Sequence, residues 1–221
     1  MLALLAVVSA LVGYERMEFN MKYGPVPAGF AFMEVRREGN GEYLATSEAV
    51  SNTFFSLFFP VDDRMESLMD VEGFPKRFEK MTREGRRRSH NKAIFLQDEG
   101  KIISDGDTLF VRGPVQDPLS IFYYLRLRPL KVDTTFSLYT FTGRKLYPLK
   151  VKVVGKERVR VKAGTFNCFV LVPSRTAGGL LKRGRMKVWL SDDERRLLVK
   201  MRSELAIGHI SAELVRYERE E

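Results

Sequence analysis

His90, His209, Cys168 and the doublets Asp62-Asp63 and Asp192-Asp193 are the places in this chain to look for a reaction. A zinc site needs ligands brought together by short spacings, such as two histidines one helical turn apart or a cysteine pair. The two histidines are far apart in sequence, and the single cysteine has no partner. Neighbouring residues of a strand point to opposite faces, so neither acidic doublet aims both carboxylates at one substrate. Cys168 lies in the apolar run "FNCFVLV", with no helix terminus or basic neighbour to make it a thiolate, and reads as a small buried hydrophobe. There is no G-x-S-x-G elbow. "AGGLLKRGR" lacks the spacing of a phosphate-cradling loop. The residues therefore point away from catalysis, and no cofactor or metal is expected.

Two other kinds of cluster stand out. "SNTFFSLFFPVDDR" places Phe54, Phe55, Phe58 and Phe59 within six positions, ahead of Pro60. On a helical wheel Phe54 stacks on Phe58 and Phe55 on Phe59, residues 51–53 can cap the start, and Pro60 ends the turn. "VQDPLSIFYYLR" offers a second short helix, with Asp117 as cap, Pro118 as first residue, and Leu119, Phe122 and Tyr123 on one face. Filling a core is the default use of such residues. The other use is to line an apolar cavity at the mouth of a barrel, and Phe54, Phe55, Phe58, Phe59, Phe122 and Tyr123 are the candidate ligand-binding residues. Dipping into a membrane is disfavoured, because the first stretch carries no Lys or Arg beside its apolar face before Arg64.

The basic clusters are Arg86-Arg87-Arg88, Lys182-Arg183-Gly184-Arg185 and Arg195-Arg196. Charge at hairpin tips keeps strands soluble and unpaired, and that explains most such clusters. The net charge of +9 also favours anionic partners. Arg86, Arg87, Arg88, Lys182, Arg183 and Arg185 are therefore the candidate contacts to an anionic lipid or envelope polymer. Aromatic residues do not interleave with these clusters, so a nucleic-acid platform is not expected.

The elements that must hold these residues follow from period two. "MEFNMKY" alternates Met17, Phe19, Met21 and Tyr23 with polar residues, the pattern of a half-buried strand. Turn signals recur at 38–41, 72–75, 84–85, 98–100, 105–107, 142–144, 163–164 and 191–193. The spacing predicts an all-β chain, one antiparallel barrel or barrel-like sandwich over 14–218, with the two short helices capping it. At the N-terminus, Leu2–Val8 is an apolar run, and Val8-Ser9-Ala10 fits a signal-peptide cleavage site, although the basic residues that usually precede such a run are missing. Residues 1–10 are read as a signal peptide, the alternative being a buried strand. The run is too short for a transmembrane helix, which needs about twenty residues.

The segments "YGPVPAGFAFMEV", "FFPVDDRMES", "VQDPLSIFYYLR", "VKAGTF", "VWLSDDERRLLVKM" and "IGHISAEL" follow one another in an order and spacing that resembles the bacterial family known as domain of unknown function 3108. The resemblance runs from about Tyr14 to Tyr217. It implies an exported, β-rich protein of the periplasm or cell envelope, and it transfers no catalytic residues. The leading expectation is a non-enzymatic protein that binds an apolar or amphipathic, lipid-like ligand in or at the mouth of a barrel. The alternative is a solid-cored module that docks on a partner or an anionic envelope polymer through its basic faces.

Overall fold

The computed structural model describes residues 13–175 and 186–220. The signal-peptide segment and Lys182, Arg183 and Arg185 lie outside the described residues. All the described strands belong to one sheet.

Alternation sets the hairpins. β1 (Tyr14–Tyr23) turns at Gly24-Pro25 into β2 (Val26–Arg37), then β3 (Tyr43–Ser51), helix α1 (Thr53–Ser56), β4 (Val61–Met69), β5 (Pro75–Glu84) and β6 (Arg87–Leu96). After a 3-10 turn at Gln97–Glu99 come β7 (Lys101–Ser104), β8 (Asp107–Phe110), β9 (Val115–Gln116) and helix α2 (Ser120–Arg126). The chain ends with β10 (Thr135–Thr142), β11 (Lys145–Val161), β12 (Gly164–Arg175), β13 (Met186–Ser191), β14 (Leu198–Glu204) and β15 (His209–Glu220). Neighbours in sequence are neighbours in space nearly throughout. The exceptions are β1 pairing with β15, which joins the two ends of the chain, and β9, which pairs only with β10, in parallel.

The chain is all-β, as expected of a barrel or barrel-like sandwich, but its sheet is not closed into a barrel. The fifteen strands run in the order β8 to β1, then β15 to β9, and backbone pairing does not close the ring. The sheet is nonetheless curled. Laid flat, fifteen strands would separate the edges β8 and β9 by about 65 Å. The four residues 111–114 that join them reach less than ~20 Å. Side chains bridge the seam. Gln97 Nε2 donates to the Val115 carbonyl at 2.9 Å and the Val115 N–H approaches Gln97 Oε1 at 3.4 Å, so one amide stands in for a strand partner. Arg144, in the β10–β11 turn, pairs with Asp105 in the β7–β8 turn at 3.2 Å. Inside, Phe95 of β6 meets Phe141 of β10 edge to face at 5.9 Å between ring centres.

About eight strands make a barrel that side chains alone can fill. Fifteen make a wider lumen, which needs something more. That filler is α2. Leu119, Tyr123 and Arg126 are all buried; Tyr123 reaches Glu34 of β2, Arg126 reaches Glu15 of β1, and Asp117 just ahead of the helix is held by Ser67 of β4. Inward residues of β1 (Met17, Phe19), β2 (Met33, Val35), β3 (Tyr43, Ala45) and β12–β14 complete the core.

The register gives the curled sheet two ends. Tyr14, Arg37, Tyr43, Met69 and Glu220 mark one. Tyr23, Val26, Ser51, Val61, Glu84 and His209 mark the other. Tyr124 packs on Phe74 and Arg128 reaches the Glu72 carbonyl, so α2 fills the first end. α1 sits at the second. The helices serve opposite ends.

Candidate functional site

The second end carries a cavity of about 580 Å3. Met21 and Tyr23 of β1, Ala28 of β2, Ala49 of β3, and Phe55 and Phe59 form part of its wall. Val61, Leu205 and Ile210 extend the apolar surface, and Ser51, Asp63 and Glu84 supply the polar groups. Strand alternation explains the composition. Odd residues of β1, β3 and β4 face inward, and near this end all but Asp63 are apolar or small.

α1 forms as its sequence directs, but as a single turn. The Asn52 side chain accepts from the Phe55 N–H at 2.9 Å, the N-cap bond that opens a helix. The Asn52 Nδ2 donates to the Pro27 carbonyl at 2.8 Å and so ties the helix to β2. Ser51 Oγ accepts from the Val61 N–H at 2.9 Å and lies 2.7 Å from Ser56 Oγ, closing the loop at its base. The rings pack on one another, Phe54 against Phe58 at 5.6 Å and Phe55 against Tyr23 at 6.2 Å.

Core filling by these phenylalanines is overturned. Phe54, Phe58 and Phe59 are 61%, 75% and 52% exposed, and Leu57 is 77% exposed. Only Phe55 is half-buried. A helix of one turn standing beyond the last strand rungs has no second layer to cover it. Phe55 and Phe59 line the cavity, while Phe54 and Phe58 face outward beside it.

Phe122 and Tyr123 are not part of this site. Tyr123 is fully buried in the filled end, with its hydroxyl 3.4 Å from the Glu34 carbonyl, and burial raises its pKa. Phe122 is half-buried against the same core. The two aromatic segments look alike in sequence and are placed apart, because α2 has the lumen around it and α1 does not.

Arg86, Arg87 and Arg88 are brought to the cavity end. They cap the β5–β6 hairpin, all three are exposed, and none forms an ion pair among the described residues. The hairpin locks onto α1. The Gly85 N–H donates to the Pro60 carbonyl at 2.8 Å, and the Phe59 ring lies over Gly85. A Cβ at Gly85 would stand 3.0 Å from Phe59 Cε2, and φ there is +59°, so glycine is needed on both counts.

The other chemical candidates are structural. Cys168 is buried, and burial pushes its thiol up to about 12. His90 pairs with Glu79 at 2.6 Å on the outer surface. Asp62 lies 3.6 Å from Arg64 and Asp63 lies 3.5 Å from Lys80. Asp192 pairs with Lys156 and Asp193 with Arg195, both at 2.6 Å. Among the described residues, no three of His, Cys, Asp and Glu stand close enough to hold a metal ion. No helix among them is long and apolar enough to cross a membrane.

Sequence reasoning missed a buried polar network at the filled end. Arg126 donates to both oxygens of Glu15 at 2.5 and 2.7 Å and to the Arg195 carbonyl at 2.9 Å. Nearby, Asp117 accepts from the N–H groups of Leu119 and Ser120 at 2.7 and 2.8 Å and from Ser67 Oγ at 2.6 Å. Asp117 thus caps α2, as its position suggests. The missed signal was faint but present. Glu15 continues the inward series Met17, Phe19, and Arg126 continues the helical face of Leu119, Phe122 and Tyr123. A charge on each apolar face calls for a partner.

The fold has solved relatives. The chain is similar to a β-barrel-like protein of domain of unknown function DUF1849 from Brucella abortus, with a TM-score of 0.65, 11% identity, and coverage of 95% of this chain and 99% of that one. That likeness shows a shared fold and nothing of role. A DUF1089 family protein from Pseudomonas aeruginosa is a weaker likeness, at a TM-score of 0.44 and 10% identity over 76% of this chain and 87% of that one. No curated protein matches. The profile of one family, described as protein of unknown function DUF3108, matches residues 18–215. With nearly all the described sheet inside that match, the chain belongs to the DUF3108 family.

Proposed function

We propose that this protein is a non-enzymatic binding protein that takes an apolar or amphipathic, lipid-like molecule into the cavity at its open end. The observation that carries this reading is the 580 Å3 cavity with a largely apolar wall. Its volume falls within the range of about 300–1000 Å3 typical of small-ligand sites. An apolar wall left in contact with water is costly, and an apolar guest removes that cost. Ser51, Asp63 and Glu84 stand where the polar end of such a guest would meet them. The one hydroxyl among them already serves Val61 and Ser56.

Export supports the lipid-like class, since the envelope is rich in such molecules. That part of the reading rests on the apolar run Leu2–Val8 and the Val8-Ser9-Ala10 pattern. Sequencing the N-terminus of protein recovered from an envelope fraction tests it, and an uncleaved cytoplasmic chain would remove it.

The ligand reading is tested with cis-parinaric acid, a fluorescent fatty acid. Wild-type protein is expected to bind it, and Ala49→Phe, which places a ring inside the cavity, is expected to weaken binding at least about tenfold with little change in thermal stability. Native mass spectrometry of protein purified from its own host should show a co-purified small molecule. No probe binding together with no co-purified molecule would sink the reading.

A further inference from the structure

We propose that the open end is a docking surface for an anionic lipid bilayer, with α1 as the inserting element and the β5–β6 hairpin as the electrostatic anchor. This goes beyond ligand binding and does not require the cavity to hold anything.

A cluster of large apolar side chains is exposed at this end. Phe54, Leu57, Phe58 and Phe59 are each more than half exposed, and Ile207 in the β14–β15 turn is 80% exposed. The patch is continuous. The Tyr23 hydroxyl donates to the Ile207 carbonyl at 2.8 Å, and the Tyr23 ring touches Phe55, which touches Phe54. Scattered exposed apolar residues need no explanation, but a contiguous aromatic patch on a protruding turn marks a contact surface.

Charge decides what is contacted. A second copy would bring the same arginines to the contact, and like charges repel. Here Arg86, Arg87 and Arg88 project from the hairpin that Phe59 covers, and Arg83, also exposed, pairs with Arg88 across it. The neighbouring carboxylates are committed or recessed. Asp62 and Asp63 lie beside Arg64 and Lys80, and Glu84 borders the cavity. Aromatic residues beside unpaired arginines match the layered chemistry of an anionic membrane, with acyl chains below and phosphates at the level of the guanidiniums. α1 lacks basic residues of its own, and the fold supplies them from Arg86 to Arg88, 30 residues or more beyond its last residue, Ser56. Docked this way, the cavity mouth faces the bilayer.

The test is flotation with vesicles of phosphatidylglycerol and phosphatidylethanolamine in a 3:7 ratio, against vesicles of phosphatidylcholine. The wild-type chain should bind the anionic vesicles, and added salt should weaken binding. Replacing Arg86, Arg87 and Arg88 by Ser together should lower affinity on the order of 100-fold. Leu57→Ser or Phe58→Ser should lower it on the order of tenfold. All these residues are exposed, so the fold tolerates the changes. Phe110→Ser is the matched control, since Phe110 is 73% exposed at the opposite end, and it should bind like wild type. Ala49→Phe should also bind vesicles like wild type, so failure of the ligand reading and failure of docking remain distinguishable. No binding to anionic vesicles, binding unaffected by the arginine replacement, or an equal loss with Phe110→Ser would each overturn the proposal. So would sedimentation showing a stable dimer that Leu57→Ser dissolves, because the patch would then belong to a second copy.

Discussion

Arg126 grips Glu15 with two parallel hydrogen bonds of 2.5 and 2.7 Å, and both side chains are only 1% exposed. The pair ties α2 to β1 and so seats the filler helix in the lumen. Burying two charges is costly, and the attraction between them offsets most of that cost only while both are present. Arg126→Met alone should therefore lose about 3–5 kcal/mol in denaturant unfolding, because Glu15 is stranded. Glu15→Leu with Arg126→Met should recover most of that loss. Simple additivity of the two single changes would show that the charges do not act as a pair.

Asp117 gives a pH signature. Burial raises its carboxyl from 3.8 to about 6, against three hydrogen bonds that favour the charged form. The folded chain thus holds a proton that the unfolded chain gives up sooner. Its contribution to stability is full below about pH 3.8 and is lost as pH rises through about 6. Asp117→Asn keeps the capping oxygen and removes the titration. The difference in unfolding free energy between wild type and this variant should change by roughly 2 kcal/mol across pH 4 to 7, in favour of wild type on the acid side. A flat difference would show that Asp117 stays charged throughout.

Gln97 is expected to matter out of proportion to its exposure. Its amide serves both the N–H and the carbonyl of Val115 and also approaches the Pro75 carbonyl at 3.4 Å. Gln97→Ala leaves these backbone groups unserved at the seam and should cost roughly 1–3 kcal/mol. Amide exchange at Val115 should accelerate while β1 and β2 stay protected. Equal acceleration everywhere would mean that the seam has no separate opening.

Alternation carried most of the fold in the sequence. The inward series Met17, Phe19 and the glycine-marked hairpins follow from local rules, and so does the Asp117 cap. The placement of Phe54 to Phe59 did not follow. A helical wheel tells which side chains share a face, but not whether anything covers that face. Coverage depends on how far a loop projects beyond its neighbours, which is a tertiary fact. The same holds for the basic residues absent around α1, since Arg86 to Arg88 reach it through Gly85 and Pro60. Closure also escaped, because period two is identical in an open, curled or closed sheet.

The short strands at the seam have one more consequence. An open sheet of fifteen strands would ordinarily present two long rows of unpaired backbone groups, each a template for another chain to join and for fibres to grow. Here the terminal strands are only four and two residues long, and the chain folds them toward each other across residues 111–114. The two terminal strands themselves thereby offer little edge on which strand-by-strand polymerisation could begin.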